Sequence, residues 1–150
     1  MPARGTLGRR ALIGVLLVWL GVVIGVSLLA APVPFMVEQL ERAEALAVNR
    51  QLFRMLSRAE LVLLALAVLA AFLGRLRSPW VIGGIALVAV AVLVQVGVLQ
   101  PELARRTDLI LAGHAPEPGP WHGLYVGLEL LKLAVLPALA LAACRGRHDP

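Results

Sequence analysis

Apolar and polar residues separate along this chain into long blocks. From Ala11 to Ala31, 21 consecutive residues carry no charge. About 20 residues at 1.5 Å rise cross a hydrocarbon core of about 30 Å, so this block predicts a first membrane span. A basic start ahead of an apolar block also describes a signal peptide. The block is long for one, and Pro32 directly after Ala30-Ala31 suits cleavage poorly, which favours an uncleaved anchor. Pro32 and Pro34 then end the helix.

Residues 36–58 follow a different pattern. Glu38 and Arg42 are four apart, as are Arg50 and Arg54, and Arg54 and Arg58, with no Gly or Pro between. That spacing predicts an amphipathic interfacial helix running into span two. The uncharged run Leu61–Leu73 has only 13 residues, so a full crossing starts near Leu52 or Phe53. Arg58 and Glu60 are thereby drawn toward lipid. Arg58 can snorkel to the surface, whereas Glu60 needs a partner inside the bundle. A basic turn at Gly74–Pro79 precedes span three, from Trp80 to Leu99, which Gln95 interrupts. Pro101 marks its end, and Glu102–Ala112 reads as a short surface helix. Span four runs from Trp121 to Cys144. The expected fold is all-α: a four-helix transmembrane bundle with an amphipathic interfacial helix before the second span. It forms a single integral membrane domain over residues 1–150, with spans about 11–31, 53–73, 80–99 and 121–144.

Composition agrees. Hydrophobic residues make up 60% and charged residues 15% of 150, and the mean hydropathy is +0.88. A water-soluble globule of this length cannot hide that much apolar surface, and a disordered chain needs far more charge. The net charge of +5 comes from short basic flanks without interleaved aromatics. It points to lipid headgroups and orientation in the membrane, not to nucleic acid. Four spans put both termini on one side, with Arg4, Arg9, Arg10, Arg75, Arg77, Arg145 and Arg147. The other side carries Arg42, Arg50, Arg54, Arg58, Arg105 and Arg106, of which Arg54 and Arg58 belong to the start of span two. The excess predicts cytoplasmic termini in a multi-pass protein of a bacterial inner membrane.

The charges inside the spans change the picture most. His122, Tyr125, Glu129 and Lys132 are spaced three, four and three apart, within an arc of about 80° on one helix face. A lysine at mid-span facing lipid costs about 2.5–3.5 kcal/mol, and Glu129 lies within reach on the same face. An ion pair inside the bundle is the expected solution, with Glu60, Gln95, Arg58 or Ser27 as partners from other helices. Such a cluster either clasps helices together or forms a polar track for protons, ions or a headgroup. Gly21 and Gly25, four apart, predict close helix packing within the bundle or against a second copy. Gly83-Gly84 invites the same reading, Trp19 reads as a packing residue, and Pro137 predicts a bend in span four.

No enzyme is expected. There is no phosphate-cradling glycine loop, no nucleophile elbow, no zinc motif and no paired cysteine. Cys144 is the single cysteine, and His122 and Glu129, two turns apart on one helix, cannot ligate one ion without help from other helices. No metal or cofactor is anticipated. The expected partners are membrane lipids and a second copy or another membrane protein.

Several short motifs carry a family likeness. Trp19-Leu20-Gly21, Pro32-Val33-Pro34-Phe35, Leu52-Phe53-Arg54, Leu99-Gln100-Pro101 and Trp121-His122-Gly123 occur in this order. In this the chain resembles the transmembrane protein 205-like family of small four-helix membrane proteins. The resemblance implies an integral membrane protein without established biochemical activity, and a role for His122. The family tends to have Ser three and Asn seven positions after that histidine, where this chain has Tyr125 and Glu129. A carboxylate in place of an amide brings a charge, for which Lys132 is a local answer. The expected function is a transport-related or membrane-homeostasis role, with a structural or assembly subunit of a larger complex as the alternative.

Overall fold

The computed structural model describes residues 2–145, with side chains from Gly5 onward. Arg147 and the side chain of Arg4, both counted in the charge balance above, lie outside the described residues. Helix α1 (Pro2–Val23) continues as a π-helical segment, Ile24–Ala30, and a 3-10 turn, Val33–Met36. Helix α2 spans Arg42–Leu73 and α3 spans Pro79–Val94. A second π segment, Gln95–Leu99, joins α3 directly to α4 (Gln100–Leu111), and α5 (Trp121–Arg145) closes the bundle. Four helices are long and apolar enough to cross a membrane: Gly5–Met36, Arg42–Leu73, Pro79–Leu111 and Trp121–Arg145.

Two helix boundaries differ from the sequence reading. The amphipathic helix starts at Arg42, not at 36, because Glu41 and Glu44 form a capping box there. The Glu41 N–H donates to Glu44 Oε2 at 3.0 Å, and the Glu41 side chain accepts from the third helical residue. From that cap the amphipathic stretch and span two form one helix of 32 residues. Nor does Pro101 end the helix of span three. It stands in the first turn of α4, where a missing N–H costs nothing within a helix start, and the wide π turn before it supplies the change of register.

Around the bundle the neighbours are α1, α2, α3, α5 and α1 again. The seam of α1 is Leu12, Leu16, Trp19 and Val23, all buried at helical spacing. It packs with Ala67 and Ala70 of α2, Val81, Val88 and Val92 of α3, and Leu136, Leu139, Ala140 and Ala143 of α5. Large apolar residues such as Phe72, Trp80 and Leu29 point outward, as in a helix bundle whose solvent is lipid. Pro137 lies within α5 and cannot donate to the carbonyl one turn earlier.

Of the glycines expected to pack closely, one does. A Cβ added at Gly21, Gly25 or Gly83 would meet nothing within 4 Å. Gly21 and Gly25 lie on the open side of α1 and do not pack within the bundle, because a small-residue spacing carries no information about which way its face points. The close approaches are at Gly84, as expected, and at Gly8, which the spacing did not single out. A Cβ on Gly8 would stand 2.4 Å from the backbone N of Gly74, and one on Gly84 2.2 Å from Leu139 Cδ2. The Gly8–Gly74 contact lets α1 and α2 meet backbone to backbone. At this same end the Arg9 guanidinium donates to the carbonyls of Ala143 and Cys144. It thereby caps the C-terminus of α5 and places the start and end of the described chain side by side.

Candidate functional site

Lys132 sits in the middle of α5 with no exposed surface. Its Nζ donates to Glu60 Oε1 of α2 at 2.5 Å and to Glu129 Oε1, one turn earlier on α5, at 2.8 Å. Glu60 is also fully buried, and Glu129 is 5% exposed. The two carboxylates do not depend on the lysine alone. Trp19 Nε1 of α1 donates to Glu60 Oε1 at 3.0 Å. Gln95 Nε2 donates to Glu129 Oε1 at 2.9 Å and to the Tyr125 carbonyl at 3.3 Å, and Ser27 Oγ to Glu129 Oε2 at 3.0 Å. All four membrane-crossing helices therefore contribute a polar group to one buried cluster.

Two of these donors come from the π-helical segments. Ser27 lies within Ile24–Ala30, where the Ala31 N–H reaches back five residues to the Val26 carbonyl at 2.8 Å. Gln95 opens the segment Gln95–Leu99, where the Gln100 N–H reaches back to the Gln95 carbonyl. A π turn inserts one residue into the helical register and re-aims the side chains around it. Both insertions are next to Glu129, which collects a hydrogen bond from each. Sequence periodicity at 3.6 residues per turn contains no sign of such an insertion.

The cluster is unbalanced. Two carboxylates share one ammonium, and in a low-dielectric interior such a set is neutralised by one further proton or cation. Glu129 has partners on both oxygens, whereas Glu60 Oε2 and Gln95 Oε1 are buried without a hydrogen bond. The spare acceptors and the surplus negative charge lie in the same place.

Of the predicted site residues, Glu129, Lys132, Glu60 and Gln95 come together, and Tyr125 is buried beside them at 2% exposure. Its ring packs edge-on against Phe53, with centroids 5.1 Å apart and planes at 67°. His122 does not join. It lies on the same face of α5 but two turns nearer the helix start, where it lines a cavity and is exposed. Arg58 is exposed on α2 and is no partner of Lys132. Trp19, expected only to pack, is a donor to the cluster. The sole hint in the sequence was an indole at mid-span, whose N–H must find an acceptor once water is excluded.

A cavity of about 680 Å³ opens above the cluster, between the first half of α2, α4 and the start of α5. Tyr125 and His122 line it. The cavity end of the molecule is the one away from the chain termini. Among the described residues no group of three His, Cys, Asp or Glu side chains is placed to hold a metal ion.

No curated protein and no solved structure matches this chain. Residues 14–109, more than half of it, match the family described as a domain of unknown function, DUF4149. The matched region runs from α1 into α4 and contains Trp19, Ser27, Glu60 and Gln95, while Glu129 and Lys132 lie beyond it. This multi-pass membrane protein belongs to the DUF4149 family.

Proposed function

We propose that this protein is a transmembrane protein 205-like membrane factor with a transport-related role, in which the buried cluster binds and passes a proton or small cation. The observation that supports this reading is the charge imbalance at Glu60, Glu129 and Lys132, held among four helices with unpartnered acceptors beside it. Gln95 and Tyr125 connect that cluster toward the cavity, which gives it an approach from one side. The chemistry involves no covalent step, and the protein acts without catalysis. It sits in a bacterial inner membrane with both termini in the cytoplasm, a reading supported by the arginines near the chain ends.

Liposomes containing the full chain and a trapped pH-sensitive dye test the transport reading. Wild-type protein should collapse an imposed pH gradient faster than empty liposomes, and Lys132→Leu and Glu129→Gln should not. Full flux in either folded variant would sink the idea. Orientation is tested with Cys144, which is exposed. An impermeant thiol reagent should label it only from the cytoplasmic side.

A second reading, assembly with a copy of itself or another membrane protein, is favoured by one observation. The open face of α1 around Gly21 and Gly25 leaves room for another helix to approach closely. Crosslinking in native membranes through Gly21→Cys should then give one discrete product.

A further inference from the structure

We infer that the cavity between α2, α4 and α5 is a binding site for the headgroup of one anionic phospholipid. Helix α2 has 32 residues, about 48 Å, and α3 to α4 is about as long, whereas the hydrocarbon core is about 30 Å. Counted back from Leu73, about 20 residues reach Phe53, so the first turns of α2 and the whole of α4 project into the headgroup layer and beyond. The cavity lies between these projecting segments, at the level where lipid phosphates are found.

Its lining is sorted by that depth. Phe53, Val96 and Tyr125 form the deeper wall, Arg54 stands level with Phe53, and Arg42, Arg50 and Arg106 stand around the upper part. No acidic side chain lines the cavity. Arg50 is already paired with Asp108, and Arg106 bonds Glu102 at 3.0 Å and the Glu117 carbonyl at 2.5 Å. Arg42 and Arg54 have no acidic partner among the described residues. Two guanidinium groups are therefore free for a phosphodiester, whose oxygens they match. Tyr125 and Asn49 line the same space, with their hydroxyl and Oδ1 atoms buried behind that surface. The volume suits a headgroup and glycerol backbone, with the acyl chains remaining in the bilayer.

This inference does not depend on charge movement through the cluster, since it is tested at Arg42 and Arg54, outside the cluster, and by another measurement. The full chain is placed in nanodiscs of phosphatidylcholine with phosphatidylglycerol, released gently, and its retained lipid is counted by native mass spectrometry. Wild-type protein should keep one phosphatidylglycerol in preference to phosphatidylcholine. Arg42→Ala with Arg54→Ala should lower that retention about tenfold. Both arginines are exposed and unpaired, so neither change removes an internal contact. Arg10→Ala with Arg77→Ala, which removes the same charge at the opposite end, should leave retention unchanged. Equal loss in that control, or equal retention of the two lipids by wild type, overturns the proposal in favour of diffuse surface attraction. Displacement of the lipid by inorganic phosphate also overturns it, and assigns the site to a soluble anion.

Discussion

At the end of the bundle that carries the chain termini, helices meet through Gly8 and Gly74 with no side chain between them, and Arg9 ties α1 to the last carbonyls of α5. At the other end, α2 and α4 touch through polar side chains, Arg50 with Asp108 and Gln100 with Phe53 and Ser57, and with α5 they enclose a cavity edged with arginines. The buried charge cluster lies between the two. The contrast shows how so apolar a chain can carry polar groups. Close packing at one end fixes the helices well enough for polar side chains further along to meet within hydrogen-bond distance. In lipid, where apolar surface gives helices no reason to associate, that packing and the polar cluster are the two sources of cohesion.

The comparison can be broken most severely at the cluster. Lys132→Met leaves two buried carboxylates without their cation and should cost about 3–5 kcal/mol, read as thermal unfolding in detergent. Adding Glu60→Gln and Glu129→Gln to it should recover most of that loss, because the uncompensated charge is gone. No recovery would mean that the cluster's shape matters more than its charge. Next in size is the close-packed end. Gly8→Ala puts a methyl group against the Gly74 backbone and should cost about 1–3 kcal/mol, by the same measurement. Trp19→Phe keeps the packing and removes one donor to Glu60, for a cost of about 1 kcal/mol. Smallest is Gly21→Ala, which meets open space and should change monomer stability by less than about 0.5 kcal/mol. A large loss there would show that the open face of α1 is occupied by another chain.

The two ends also differ in how readable they are. The spans are legible because charge-free runs are long, and the core of the cluster is legible because charge in a span has so few tolerable solutions. Glu129 and Lys132 lie three residues apart on one helix, and Glu60 has too short a side chain to reach water. Gln95 and Ser27 were legible as polar residues in other spans that could meet that pair, and both bond Glu129. Trp19 was not, because it hides its one polar atom in an apolar residue, and the π segments that carry Ser27 and Gln95 leave no mark on helical spacing. Gly8 and Gly74 form no motif, because their pairing joins positions from different helices. Gly21 and Gly25 do form one, and it faces outward. The sequence thus identified the groups that had to be satisfied and several of their partners, Glu60, Gln95 and Ser27, but neither the Trp19 donor nor the backbone geometry that brings them together.

The π segments have a wider consequence. Each is a dislocation in an otherwise regular lattice of peptide hydrogen bonds. A dislocation can glide: exchanging one five-residue bond for a four-residue bond moves it along the helix, and each residue it passes turns by about 100° while the helix ends stay in place. Glu129 pins two of them at once, through Ser27 and Gln95. Whatever changes the charge on that one carboxylate therefore acts on both dislocations at once, in two separate helices.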